Sequence, residues 1–246
     1  MIKAFSRALL VLATLAAMAT ATSSDAAAPG PQDLASYLNQ PNVVRPGMGE
    51  DPGHPAGAPM TFPAGVRLAG AIMAAAREDS CGASGDGGDF GVLVCVTVCN
   101  DNEEEVYLTF PAGLTVVSKA VSQYQNGLLG RELRFPIPPS PCGEEEDIPL
   151  DADAAALEMA GPPSVGAGVQ IRLGLHCLNE GKAPSELTVP YALGMVVSDP
   201  AIRELLAMIK GRSLDEDDLQ VIQIAIYSIT EGRGLTPADR SALRSL

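Results

Sequence analysis

The stretch Gly91-Val92-Leu93-Val94-Cys95-Val96-Thr97-Val98-Cys99 decides the fold class. Five of its nine side chains are β-branched, and no polar residue except Thr97 interrupts it. A run of this length and composition fits a central strand buried on both faces better than a helix. Its neighbours extend the pattern. Val106 to Phe110 and Leu114 to Val117 flank the turn Pro111-Ala112-Gly113, and Arg131 to Ile137 alternates charged and apolar side chains. Val169 to Leu178 alternates again, with Val169, Ile171, Leu173 and Leu175 on one face. Short strands divided by Pro/Gly turns predict an antiparallel β-sandwich over residues 64–198. The Ala-rich stretch from Arg67 to Glu78 reads as a short helix at its start.

Beyond residue 198 the period changes. Asp199 is a candidate N-cap and Pro200 a first helical residue. Ile202, Leu205, Leu206 and Ile209 form an apolar stripe, and Lys210-Gly211 closes the helix. Ser213-Leu214-Asp215-Glu216 predicts a capping box for a second helix running to about Thr230. A third is expected to start at Thr236-Pro237-Ala238-Asp239. The fold class is therefore mainly β with C-terminal helices, a three-helix segment over 199–246 packing on the sandwich.

Upstream, residues 1–21 have the pattern of a secretory signal peptide: Lys3 and Arg7, an apolar run from Ala8 to Ala17, and the small-x-small site Ala19-Thr20-Ala21. The apolar run is too short to span a bilayer, so no membrane-integral protein is expected after cleavage. Residues 22–63 carry eight of the twenty prolines and no apolar period, which predicts a poorly ordered leader. The formal charge of −14 argues against nucleic acid and anionic membranes as partners, since both require basic patches. An extracellular protein or surface ligand is the partner class that remains. The lack of tryptophan disfavours an aromatic sugar-binding platform.

Export makes the cysteine arithmetic informative, because thiols pair in oxidising compartments. Cys81, Cys95, Cys99, Cys142 and Cys177 cannot all pair internally. Cys95 and Cys99 share one face of one strand, roughly 13 Å apart at Cα, beyond the roughly 7 Å limit of a disulfide. With Cys177 left over, two frameworks remain: Cys81–Cys95 with Cys99–Cys142, or Cys81–Cys99 with Cys95–Cys142. Alternatively Cys177 pairs with Cys99, since both close a strand, leaving Cys81 or Cys142 as the thiol.

The helix segment Val221-Ile222-Gln223-Ile224-Ala225-Ile226-Tyr227 holds a second anomaly. Leu219, Ile222, Ala225, Ile226 and Ile229 form its buried stripe, with Gln223 at the edge beside Leu219 and Tyr227. A buried carboxamide requires hydrogen-bond partners or a chemical role. The Gln-x-Ala-Ile-aromatic pattern, together with the strand-borne Cys177 in His176-Cys177-Leu178-Asn179, resembles the thioester domains of Gram-positive surface adhesins. Those domains carry a Thr-Gln-x-Ala-Ile-Trp-type motif and an aromatic-Cys motif. Here Ile222 stands for the Thr, Tyr227 for the Trp and His176 for the aromatic. The resemblance covers about a dozen residues and implies Cys177 as thiol and Gln223 as acyl donor of an internal thioester. The competing expectation is structural: a packed helix whose Gln223 bonds to backbone beside an ordinary cysteine.

Other chemistries find less support. His54 and His176 are the only histidines; His54 lies in the leader, and His176 and Cys177, as strand neighbours, point to opposite faces. No Cys-x-x-Cys or His-x-x-x-His suggests zinc. Asp79, Asp86 and Asp89, in a stretch with four glycines, are candidate calcium ligands, although a turn explains them as well. The acidic clusters Glu103 to Glu105, Glu144 to Asp147 and Asp215 to Asp218 read as solvated loops and helix starts. The expectation is a secreted, non-enzymatic, disulfide-stabilised binding or display module without a cofactor. The alternatives are a covalent adhesin domain using Cys177 and Gln223, and a secreted hydrolase using paired carboxylates.

Overall fold

The computed structural model describes residues 43–75, 81, 83–85, 91–120, 122–142 and 168–246. The decisive run forms the long strand Gly91–Asn100, fourth of the ten strands among the described residues. The strands are β1 (Gly57–Pro59), β2 (Val66–Ala74), β3 (Ala83–Gly85), β4 (Gly91–Asn100), β5 (Val106–Phe110), β6 (Leu114–Ser118), β7 (Gly127–Leu128), β8 (Leu133–Ile137), β9 (Val169–Cys177) and β10 (Pro190–Val197). Three helices follow: α1 (Pro200–Ile209), α2 (Glu216–Thr230) and α3 (Pro237–Ser245).

The sandwich expectation is corrected. Strands β10, β2, β4, β9, β7 and β6 pair in that order, each pair antiparallel, and β10 pairs again with β6 to close a six-stranded barrel. Closure follows from register. β2 slips by two residues against β4 between Ala69 and Met73, around Gly70, whose φ of +63° suits glycine. β10 carries one extra residue against β6 between Leu193 and Val196, where a side chain at Gly194 would collide with Thr115 Oγ1. Such bulges sharpen twist and let one sheet curl onto itself. Alternation is the same in a sandwich and in a barrel, so the pattern of inward residues alone did not separate them.

Inside the barrel pack Val92, Val94, Val96 and Val98 of β4 with Ile171, Leu173, Leu175 and Cys177 of β9. The Ala-rich stretch starting at Arg67 is strand β2 rather than a helix. Its partnership with β4 from Val66↔Asn100 to Ala74↔Val94 overrides the helix propensity of alanine. β1 adds to β10 outside the closed circuit, β3 runs parallel to β9, and β5 with β8 makes a separate two-stranded ribbon.

A second core lies where Leu128, Leu178 and Val197 meet the helices. Ala201, Ile202, Leu205 and Ile209 of α1 and Ile222, Ala225, Ile226 and Ile229 of α2 are buried there. The three helices among the described residues begin at capped residues. Asp199 accepts from the N–H of Ala201 and Ile202, and Thr236 forms a reciprocal box with Asp239. The α2 box is built by Asp215 and Asp218, two residues beyond the expected Ser213 start. Arg240 binds Glu204 through two nitrogens (2.7 and 3.0 Å), tying α3 to α1.

The end of the expected leader is part of the fold. Arg45 is buried, with Nε 2.8 Å from Asp199 Oδ2 and Nη1 donating to Ile229 O at 2.8 Å. Gly49 N–H donates to Leu178 O (3.0 Å), and Asn126 and Asn179 side chains donate to the carbonyls of Gly47 and Gly49. Prolines and glycines mask this contribution in the sequence because, Arg45 apart, these contacts are made through backbone groups. The expected signal peptide, the leader up to residue 42 and the candidate calcium ligands Asp79, Asp86 and Asp89 lie outside the described residues.

Candidate functional site

Even-numbered residues of β4 fill the barrel, so Cys95 and Cys99 face outward. Cys81 is bonded to Cys95, with Cα atoms 5.7 Å apart, and Cys99 to Cys142, at 5.5 Å. This is one of the two frameworks left open by the sequence, and it overturns the alternative pairing of Cys177 with Cys99. Cys177 keeps its thiol and is buried.

Cys177 ends β9, on the inward face that also carries Leu173 and Leu175. The ladder between β4 and β9 ends at Gly91↔His176, and the carbonyl of Gly91 is turned to Ser185 N–H (3.0 Å). The backbone of Cys177 is bonded by a side chain instead. Its N–H donates to Gln223 Oε1 at 2.9 Å, and Gln223 Nε2 donates to its carbonyl at 2.9 Å. The carboxamide of α2 thus continues the sheet by one residue and satisfies both polar backbone groups of a buried position. Gly91 allows the sulfur its place: its φ is +101°, and a Cβ there would stand 2.9 Å from Cys177 Sγ.

Gln223 is buried, as is its neighbour across the clasp, His176. One turn further along α2, the Tyr227 hydroxyl hydrogen-bonds with the Cys177 side chain and donates to Gln125 Oε1 at 3.4 Å. Tyr191 Oη donates to the Gln125 carbonyl at 3.3 Å, and Gln125 Nε2 to the Lys182 carbonyl at 3.0 Å. Burial pushes the Cys177 thiol up to about 11, partly offset by the Tyr227 hydroxyl, so at neutral pH the sulfur is protonated. Burial and proximity to Cys177 push Tyr227 and Tyr191 up as well. His176 is driven down to about 4 by burial, with a hydrogen bond to the Gln223 side chain opposing the shift, and its Nδ1 has no partner among the described residues.

The arrangement brings together Cys177 and Gln223, 46 residues apart in sequence. It holds the Gln223 acyl carbon beside the backbone of the residue that bears the thiol, with the Tyr227 hydroxyl at the sulfur. His176 stands on the opposite face of β9 from the sulfur, and His54 is exposed in the segment before β1. The acidic cluster at Asp215 to Asp218 is occupied in capping α2. Among the described residues no group of three His, Cys, Asp or Glu side chains is placed to hold a metal ion. Also among them, no helix is long and apolar enough to cross a membrane. Sequence reading missed Gln125 and Tyr191; no local pattern marks either, because both reach the site through strand and loop pairing.

Compared with family models, with curated proteins and with solved structures, the chain matches none.

Proposed function

We propose that this chain is an exported, disulfide-stapled barrel module that works by binding a partner at or beyond the cell surface. The carrying observation is the pair of disulfides on the outer face of β4, Cys81–Cys95 and Cys99–Cys142, with the fifth sulfur kept inside. Two structural disulfides fit an oxidising compartment, and the acidic surface suits a protein that must stay soluble there. The test is expression of the full chain in a bacterial host, with fractionation and non-reducing intact mass. An exported product that has lost residues 1–21 and carries two disulfides and one thiol supports the reading. A full-length product retained in the cytoplasm overturns it.

The Cys177–Gln223 clasp favours a second reading, an internal thioester. Sγ of Cys177 would add to Cδ of Gln223. The Sγ–Cδ bond forms as Cδ–Nε2 breaks, and the thiol proton leaves with the amide nitrogen as ammonia. Oε1, where negative charge develops, already accepts from the Cys177 N–H at 2.9 Å. The thioester would then acylate an amine on the bound partner. Intact mass separates the readings: a mature chain lighter by one ammonia, with the difference abolished in Cys177→Ala, supports the thioester. A mass explained by two disulfides alone ends it.

A further inference from the structure

On the side of the molecule where the second core closes, a cleft of about 760 Å³ opens between the barrel and α1. It is bounded by the turn Pro111-Ala112, by Gly130-Arg131-Glu132 ahead of β8, by the end of β10 and by the C-terminal half of α1. Gly113 lets the turn lie close to the helix: with φ +88°, its Cβ position is 3.3 Å from Leu206 Cδ1 and 3.4 Å from Val197 Cγ2. The interior is apolar, formed by side chains such as Pro111, Val196, Leu206 and Leu214.

The rim has the opposite character to the rest of the surface. In a chain with 30 acidic and 16 basic residues, the cleft is lined by four cations, Arg131, Arg203, Lys210 and Arg212, against one acid, Glu132. Arg212 is held by Nε donating to the Met208 carbonyl at 2.9 Å. Arg131, Arg203 and Lys210 are exposed and make no ion pair among the described residues. Lys210 and Arg212 suit the end of a helix, where cations are favoured. That explanation does not extend to Arg131, which lies in the segment between β7 and β8. Nor does it extend to Arg203, in the first turn of α1, where the helix dipole disfavours a positive charge.

We infer that this cleft is a binding site for a small anionic amphiphile, a carboxylate on a single apolar chain, with the acid group at Arg131, Arg203 and Lys210 and the chain against Leu206, Val196 and Leu214. The volume is that of small-molecule sites, which combine a mostly apolar lining with a few fixed polar groups. The local positive field counters the repulsion that the net charge of −14 imposes on any anion. The assignment rests on the binding-module reading and supplies its ligand class.

The test is calorimetric titration of the full, oxidised chain with dodecanoate below its micelle concentration. Butyrate, dodecyltrimethylammonium and anionic phospholipid vesicles serve as comparisons. Two exposed-surface variants accompany it: the double reversal Arg203→Glu with Lys210→Glu, and Ala207→Trp, which fills the cleft from an exposed helix position. The expected result is one dodecanoate per chain, with affinity falling as salt rises. Losing two ion pairs at the rim weakens binding roughly tenfold or more, and Ala207→Trp abolishes it, with thermal unfolding of both variants unchanged. Absence of saturable dodecanoate binding overturns the proposal, as do equal binding of the cationic analogue, binding to vesicles only, or unchanged affinity in both variants. Failure of the exported-module reading has a separate signature, unpaired cysteines in a cytoplasmic product, which leaves the titration readable.

Discussion

At the scale of single residues, Gln223 and Cys177 form one unit. Replacing Gln223 with Leu leaves the buried N–H and carbonyl of Cys177 unbonded, each a loss of about 1–3 kcal/mol. A destabilisation of roughly 2–5 kcal/mol in urea unfolding is expected, against a small effect for the exposed neighbour Ile224→Ala. The thiol gives a second expectation. Burial and a value near 11 keep native Cys177 unreactive toward a disulfide reagent at neutral pH, whereas the unfolded, non-reduced chain titrates one thiol. No thiol on unfolding would favour the thioester instead. His176 adds a pH dependence whose sign is fixed by its depressed value. Above about 6.5 both folded and unfolded imidazoles are neutral and the stability is whole. Between 6.5 and about 4 the unfolded chain alone takes up the proton, so stability falls by about 1.4 kcal/mol per pH unit. His176→Leu is expected to flatten that part of the stability–pH profile, read by thermal unfolding across the window.

At the scale of elements, the helix caps differ in what stands behind them. Asp215 caps α2 in an exposed box, so Asp215→Ala is expected to lower stability by about 1 kcal/mol. Asp199 caps α1 and also receives the buried Arg45 guanidinium at 2.8 Å. Its removal leaves a charge inside without its counter-ion, and Asp199→Ala is expected to cost about 3–5 kcal/mol. Chemical unfolding of the two variants side by side checks the order. Caps of this kind were legible because the side chain and the N–H it binds lie within three residues. Even so, Ser213 with Glu216 and Asp215 with Asp218 are equivalent local patterns, and only packing of the apolar stripe chose the second. The strand at Val66–Ala74 was illegible for the opposite reason: alanine favours a helix locally, and the ladder to β4 that overrides it joins residues 20 (Ala74↔Val94) to 34 (Val66↔Asn100) positions apart.

For the whole molecule, inward residues of β9 such as Ile171 and Leu173 were readable from alternation, but closure was not. It depends on the slips at Gly70 and Gly194: the two extra residues of β2 leave its alternation intact, and the one extra residue of β10 shifts the inward set from Tyr191 and Leu193 to Val196. The proximity of Cys177 to Gln223 was legible through the stripe on α2 and the motif resemblance. The cationic cleft was not, since its four cations come from two separate stretches of chain and meet only after closure. The disulfides combine both situations: strand geometry removed Cys95–Cys99, and the three-dimensional path then chose between the remaining frameworks. Their weights differ by the chain they enclose. Cys81–Cys95 spans 14 residues and Cys99–Cys142 spans 43. Loop-closure entropy assigns them about 3 and about 4 kcal/mol. The longer link also ties the chain beyond β8 to the barrel, where Asn100 and Ser140 exchange backbone hydrogen bonds at 3.0 and 3.2 Å. The Cys142 carbonyl there accepts from Arg67 Nη2 at 3.2 Å. Breaking the link with Cys99→Ala and Cys142→Ala therefore loosens those contacts as well as freeing the unfolded chain. The paired substitution is expected to lower the urea midpoint further than Cys81→Ala with Cys95→Ala. A difference of only about 1 kcal/mol, that of loop closure alone, would mean that the contacts around Ser140 hold without the covalent link.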